Sequence, residues 1–437
     1  MSTGQRLLDL SKRLYPINRS LTGDGVRQSL AILNEVVPLK VYEIPTGKSV
    51  FDWEIPPEWN VRTAYVSDST GNKVIDFERH NLHLVGYSAP VDRRMDLAEL
   101  DKHLHSLPEQ PDAIPYITSY YSHDWGFCLA HNDRLALKED NYRVFIDSEL
   151  APGVLNIGEC ILPGKSDREV LLSTYICHPS MANNELSGPV ITAMIAKWLK
   201  SRNRKYTYRI VFLPETIGSI TYISLNLATL SSKVLAGFNL SCLGDDRCYS
   251  MVESRYGDTI ADRIAQRTLT KRAERGENTI RYSFLDRQSD ERQYCSPGVD
   301  LPLVTLTRSR FGTFPEYHTS LDNFELVTET GLQGGFEYVQ DCLLDLEEQP
   351  RYKALYCCEP RLGKRGLYPE VGSRSSGAQP GSDTLMDSLN VRTVLDVVAY
   401  SDGTNCAKDL ADRLDRPVEE IHSIISRLVD EGLLVEI

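Results

Sequence analysis

Three places along the 437-residue chain gather side chains able to move protons or hold a cation. Cys177-His178-Pro179 ends a β-rich run, and Asn184 and Glu185 follow a few positions on, in the loop that enters a helix. Glu215 stands at the tip of a second such run, in Pro214-Glu-Thr-Ile-Gly218. His318 lies in the polar stretch Phe314-Pro-Glu-Tyr-His-Thr-Ser-Leu-Asp322-Asn323. Two histidines, a carboxylate and an oxygen donor are what metal-assisted hydrolysis requires. The cation polarises a carbonyl and acidifies water, and a non-ligand Glu carries the proton. Taken singly, each residue has a plainer reading. There are nine histidines, and a lone carboxylate at a helix start is an ordinary cap. The order of the set along the chain is the stronger signal.

Positioning these groups requires strands that end at a common edge. Glu169–Ile176, Tyr208–Leu213, Val234–Leu243 and Leu301–Thr307 read as strands, and Val190–Leu199 and 328–348 as helices. Strands alternating with helices predict an α/β sheet covered on both faces, with function at the carboxyl ends of its strands. Ser187 is expected to cap the first crossover helix, with Pro189 just inside it. Before that region, short alternating runs between 41 and 115, separated by Pro, Gly, Asp and Asn, predict a small all-β module. The stretch 366–387 is rich in Gly, Ser and Pro and reads as a linker. Beyond it, three amphipathic helices and a terminal strand over 388–437 suggest a winged helix.

Composition excludes several roles. The net charge is −13, which opposes nucleic acid and anionic membranes as partners, and no run is apolar enough to span a bilayer. Residues 388–437 carry five basic and ten acidic side chains, so duplex binding by the winged helix is disfavoured and a protein contact or self-association fits better. The ten cysteines form no CxxC pair, the pattern of buried thiols in a cytoplasmic protein.

His178, Asn184-Glu-Leu-Ser-Gly188, Glu215-x-x-Gly218 and Tyr317-His-Thr319 resemble the zinc aminopeptidases of peptidase clan MH, a group that includes the glutaminyl cyclases. Phrases such as Arg19-Ser-Leu-Thr-Gly-Asp-Gly25, Phe51-Asp-Trp-Glu-Ile-Pro56 and Asp290-Glu-Arg-Gln-Tyr294 extend the likeness. They resemble a bacterial family of aminopeptidase-like proteins with a C-terminal winged helix, often labelled as polysaccharide-biosynthesis proteins. The resemblance implies an aminopeptidase-like domain over 1–40 and 116–365, with 41–115 inserted. It implies His178 and His318 as metal ligands and Glu215 as general base. Asp290, Arg292 and Tyr294 become candidate substrate contacts, for which a solvated loop is an equally weighted reading. The chain departs from the family pattern where acidic ligands belong. Asn184 stands at the bridging carboxylate, Thr216 at the second Glu and Ser241 at a further Asp. A dication needs anionic ligands to offset its desolvation. These departures therefore imply at most one zinc, held by His178, His318 and an oxygen donor such as Asn184.

The expectation is thus a zinc-dependent hydrolase of a small amide, a peptide or an acylated amine. Two alternatives stand beside it: an acyl-transfer or cyclising enzyme on the same scaffold, and a metal-free, catalytically silent binding or assembly protein.

Overall fold

The computed structural model describes residues 1–365, 367 and 391–437. These form two compact units, Met1–Leu343 and Leu344–Ile437. The first is built on an eight-stranded mixed sheet. Its strands are β1 (Lys40–Pro45), β2 (Val154–Leu162), β3 (Glu169–Tyr175), β4 (Thr207–Leu213), β5 (Val234–Leu240), β6 (Tyr249–Val252), β7 (Thr279–Tyr282) and β8 (Leu303–Thr307). They lie in the order β1-β2-β4-β3-β5-β8-β6-β7. The middle four, β4-β3-β5-β8, run parallel to one another. β3 and β5 are buried at every residue, so apolar runs without alternation have become strands covered on both faces.

Parallel strands need crossovers, and helices supply them. Helices α1 (Thr3–Leu14) and α2 (Asp24–Asn34) precede the sheet, α3 (Ser187–Lys200) links β3 to β4, and α4 (Ile217–Lys233) links β4 to β5. The chain therefore leaves β3 to one side and returns on the other, a reversal that opens a crevice at the carboxyl end of β3. α3 packs closely there: a Cβ on Gly188 would stand 2.3 Å from the Leu240 carbonyl oxygen.

The β module departs from its expected bounds. Lys40–Pro45 is an edge of the central sheet, paired antiparallel with β2. The module's own four-stranded sheet takes in Asn141–Ala151, which pairs with Glu58–Ser67 and Val91–Asp96. That strand buries Tyr142, Val144, Ile146 and Ser148 on alternate positions. It continues the module beyond a long turn-rich stretch. Trp59, Val66 and Val144 share one apolar core with Leu171 and Val211 of the central sheet.

In the second unit, helices Val391–Ala399, Ala407–Leu414 and Val418–Asp430 join a three-stranded sheet. Arg351–Ala354 is its middle strand, between Asp402–Cys406 and Leu434–Glu436. The winged module thus begins before residue 366, not at 388. A buried ion pair explains the placement, because the Arg351 guanidinium meets Asp409 at 3.4 Å and the Thr404 carbonyl at 2.9 Å. Apart from Leu367, the stretch expected as a linker lies outside the described residues. No helix among the described residues is long and apolar enough to cross a membrane.

Candidate active site

The crevice at the ends of β3 and β4 gathers the expected residues around His178. Just past the end of β3, His178 is held by a carboxylate from the following loop. Glu185 Oε2 accepts the Cys177 N–H at 2.7 Å, the His178 N–H, and His178 Nδ1–H at 3.0 Å. Its other oxygen, Oε1, meets Arg19 Nε at 2.7 Å, and both side chains of this pair are fully buried. Arg19 also donates to the His178 carbonyl at 3.1 Å and the Leu14 carbonyl at 2.6 Å, tying the turn after α1 to the site. Glu185 thus keeps the proton on Nδ1 and turns Nε2 outward, where it faces Glu215 Oε2 at 3.8 Å.

The loop that supplies Glu185 begins with one wide turn over Ala182–Leu186, closed by Leu186 N–H to the Met181 carbonyl at 3.2 Å. Ser187 is consequently already helical and does not cap. Its hydroxyl donates back to the Asn183 carbonyl at 2.6 Å and accepts Leu243 N–H at 2.8 Å. Two carboxylates brace this loop. Asp322 accepts the Asn183 and Asn184 N–H groups at 2.5 and 2.8 Å, and Asp245 accepts from Asn183 Nδ2, Ser309 N–H and Ser309 Oγ.

Burial penalises a charged imidazole at His178. The Cys177 sulfur and the Glu185 carboxylate nevertheless hold the ring well above the ordinary histidine value. Since burial pushes the Cys177 thiol up to about 11, that sulfur is neutral at pH 7, and Glu185 is the partner that matters. Burial also raises the Glu215 carboxyl, opposed by the nearby His178. Beneath it, Asp290 accepts Thr216 N–H at 2.8 Å and Ser219 Oγ–H at 2.7 Å on Oδ1. Its Oδ2 is buried without a partner, and burial together with Glu215 pushes Asp290 up to about 7. Thr216 holds the strand tip at φ +64°, a strained conformation for a β-branched residue.

His318 approaches from the opposite loop. Its ring centroid lies 5.4 Å from that of His178, and Tyr116 stands 5.1 Å from each. Tyr116 N–H bonds the His318 carbonyl at 2.9 Å, so the end of the β module is zipped to this loop. Burial and His178 push His318 down to about 3, which leaves a neutral ring whose Nε2 is buried and unpartnered.

These groups open into a cleft of about 360 Å³. Trp53, Tyr116, Tyr120, Tyr121 and Leu21 form an apolar wall, and His178, Glu215, His318 and Arg292 supply the polar side. Arg292 reaches Thr216 Oγ1 at 2.6 Å and is exposed, with no ion pair among the described residues. Of the three expected substrate contacts, only Arg292 lines the cleft. Asp290 supports Thr216 from below, and Tyr294 is buried with its hydroxyl on Ser173 at 2.9 Å. The sequence reading did not find Arg19 or the aromatic wall. Arg19 lies 159 positions from the carbonyl it contacts, and nothing local marks it as buried.

The donor set does not fit a two-metal centre. The Asn184 amide oxygen takes the Tyr175 hydroxyl at 3.1 Å, and its Nδ2 points at the Met181 sulfur. Ser241 Oγ bonds Tyr175 and the Asn184 carbonyl, and Thr216 Oγ1 is taken by Arg292. Asp245 and Asp322 are spent on the loop. Neither does a mononuclear shell form. Among the described residues, the triple of ligand-type atoms within 4.8 Å of one another comes from Cys177, His178 and Glu185. That triple is bonded to itself and, through Glu185, to a cationic Arg19. Asn184 is therefore a structural amide, and His178 and His318 are left as two open imidazoles without a third ligand.

Residues 8–349 match the model of a domain of unknown function, DUF4910, and residues 351–436 match a winged helix-turn-helix. A Clostridium acetobutylicum protein, named as a polysaccharide biosynthesis protein with an aminopeptidase-like domain, is 41% identical over 410 residues, 94% of this chain and 91% of its own. A crystal structure from that organism, named as a peptidase, aligns with a TM-score of 0.81 and 38% identity, covering 100% of this chain and 97% of the other. A zinc aminopeptidase from Bacillus subtilis shares the fold at a TM-score of 0.57 and 12% identity, over 79% of this chain and 94% of its own.

Proposed function

The chain belongs to the DUF4910 family, with an aminopeptidase-like fold and a winged helix-turn-helix, and we propose that it cleaves an amide bond in the aromatic-walled cleft. The observation that carries this reading is the Glu185–His178–Glu215 array at the strand ends. Glu185 orients His178 and stabilises its positive charge, and His178 presents Nε2 to Glu215. Glu215, raised by burial, accepts a proton from the attacking water and returns it to the leaving amine. Arg292, exposed at the mouth of the cleft and held by Thr216 Oγ1, suits a carboxylate or phosphate on the substrate. No step is assigned to a metal, because the amide and carboxylate donors that would join the two histidines are committed elsewhere.

A second reading is favoured by those committed donors: a silent binding protein that keeps the aminopeptidase scaffold and uses the cleft for recognition alone. One experiment separates the two. Wild type and Glu215→Gln are assayed on a panel of N-acyl amino acids and dipeptides, with and without a chelator, beside zinc content by elemental mass spectrometry. Amide cleavage that survives chelation and is lost in Glu215→Gln supports the proposal. Cleavage abolished by chelation, with about one zinc per chain, would restore a zinc mechanism. No cleavage of any substrate by wild type would leave the binding reading.

A further inference from the structure

A second cavity, of about 410 Å³, lies beside the cleft and has no part in the array just described. Trp53 lines both cavities. The start of α4 runs from one to the other: Thr216 and Ile217 line the cleft, and Ile220, Ile223 and Leu227, over the next turns, line the second cavity. The short helix Glu291–Tyr294 does the same, with Arg292 on the cleft and Gln293 on its neighbour. The two cavities adjoin, with the Trp53 indole in the wall of both. Pro297, Val299 and Phe51 complete a mostly apolar lining that carries no lysine or arginine.

The hairpin that brings Trp53 here is built against local preference. Val50 pairs with Trp53 across a two-residue loop, Phe51-Asp52. With φ +53° at Phe51 alone, such a loop calls for glycine at its first position. Phe51 occupies that position and is 58% exposed. Tyr121, also at positive φ (+62°) and 54% exposed, stands edge-on to Trp53 with ring centroids 5.8 Å apart. Tyr121 braces the hairpin through Trp53 and the Glu54 carbonyl, whereas Phe51, strained and exposed on the rim of the second cavity, is placed to meet a ligand.

We propose that this second cavity is an acyl subsite. On the reading that Glu215 serves an amide, the scissile bond sits in the cleft and an aliphatic acyl chain longer than acetyl crosses Trp53 to lie along Phe51 and Leu227. The substrate class is then an N-acylated amine with a medium-length chain. The occupant follows from continuity, since a chain attached to an amide at Glu215 has this groove as its apolar exit past Trp53.

The test is calorimetric binding to the full-length protein of N-octanoylglycine, N-acetylglycine and glycine octylamide, so that its outcome does not depend on turnover. N-octanoylglycine is expected to bind about tenfold or more tighter than N-acetylglycine, given the methylenes buried. That ratio should fall towards one in Leu227→Lys and in Phe51→Ala, each checked for an unchanged melting temperature. Phe51→Ala relies on an exposed side chain and so keeps the test alive if Leu227→Lys folds poorly. Equal affinities, no binding of N-octanoylglycine, or a preference that survives Phe51→Ala would overturn the subsite. Tighter binding of glycine octylamide would overturn the acyl assignment. A chain-length preference without hydrolysis would keep the subsite and remove the hydrolase reading, whereas hydrolysis of N-acetyl substrates with no such preference would do the reverse.

Discussion

Glu185→Gln tests how the site is held together. The carboxylate satisfies four groups: the guanidinium of Arg19 on one oxygen, and on the other two backbone N–H groups and the His178 imidazole. An amide has one acceptor and one donor end. If its oxygen faces the Cys177 and His178 N–H groups, its NH2 confronts Arg19; if it turns over, the NH2 confronts three donors. Either way Arg19 becomes an uncompensated cation in a place where both partners are fully buried. Removing one member of such a pair costs about 3–5 kcal/mol. The assay is equilibrium urea unfolding, read at the transition of the Met1–Leu343 unit. Arg19→Met alone should cost a similar amount, since it strands the carboxylate. Combined, the two substitutions remove both charges of the pair, and the glutamine oxygen can serve the donors around His178. The double variant should therefore recover about 2–3 kcal/mol relative to the sum. A loss below about 1 kcal/mol for Glu185→Gln, or strict additivity, would refute the argument that a buried ion pair anchors the catalytic histidine.

Glu215→Gln should lower kcat by about 10²–10⁴-fold with little change in KM on any amide that wild type cleaves, as expected for a proton-transfer group. Asp290 is raised to about 7 in the folded state, so the native carboxyl keeps its proton where the unfolded chain loses it. Its stabilising contribution is full below about pH 4 and is lost as pH rises towards 7, and Asp290→Asn should flatten that part of the stability profile measured by thermal unfolding. Arg351→Met should destabilise the winged module selectively, by about 3–5 kcal/mol, because it takes the Arg351 cation away from the buried Asp409 carboxylate. That loss is read from exchange protection of amides in 391–437. Duplex DNA should not be retarded by the full-length protein even at low salt; a salt-sensitive complex would contradict the reading from the acidic tail.

How much of this was legible depended on whether the signal was local. The buried parallel strands showed because both of their faces are apolar, leaving runs such as Val-Leu-Leu in β3 and Val-Leu-Ala in β5. The three helices of the winged module showed through their amphipathic spacing, whereas its middle strand, Arg351–Ala354, did not. That strand is four residues long, and what assigns it is an ion pair to Asp409, 58 positions away. The β module was misjudged for the same reason: Asn141–Ala151 alternates properly, but its partners lie far upstream. Within the site, residue types at the strand ends pointed to His178, Glu215 and His318. They could not show that Arg19, from the turn after α1, neutralises Glu185.

Asn184 is the instructive case. Its amide, read against the resemblance, signalled that a bridging carboxylate was missing, and that much needed one position only. What fills the gap is visible only in three dimensions. The Tyr175 hydroxyl, projecting from the last residue of β3, reaches the Asn184 amide oxygen, the Asn184 carbonyl and Ser241. A phenol that burial holds well above its ordinary value stays neutral, and it bonds neutral partners without the desolvation cost that a carboxylate cluster would bring. Asn184 and Ser241 therefore form one change, in which a set of uncharged hydrogen-bonding groups occupies the space of an ionic one. Asn184→Asp alone should accordingly fail to recruit zinc, because the new carboxylate would still face the Tyr175 hydroxyl and still lack an acidic partner at Ser241 and Thr216. Zinc content measured by elemental mass spectrometry on that variant decides the point. A stoichiometric gain of metal from the single substitution would mean that the site has kept its metal-binding geometry and lacks only one charge.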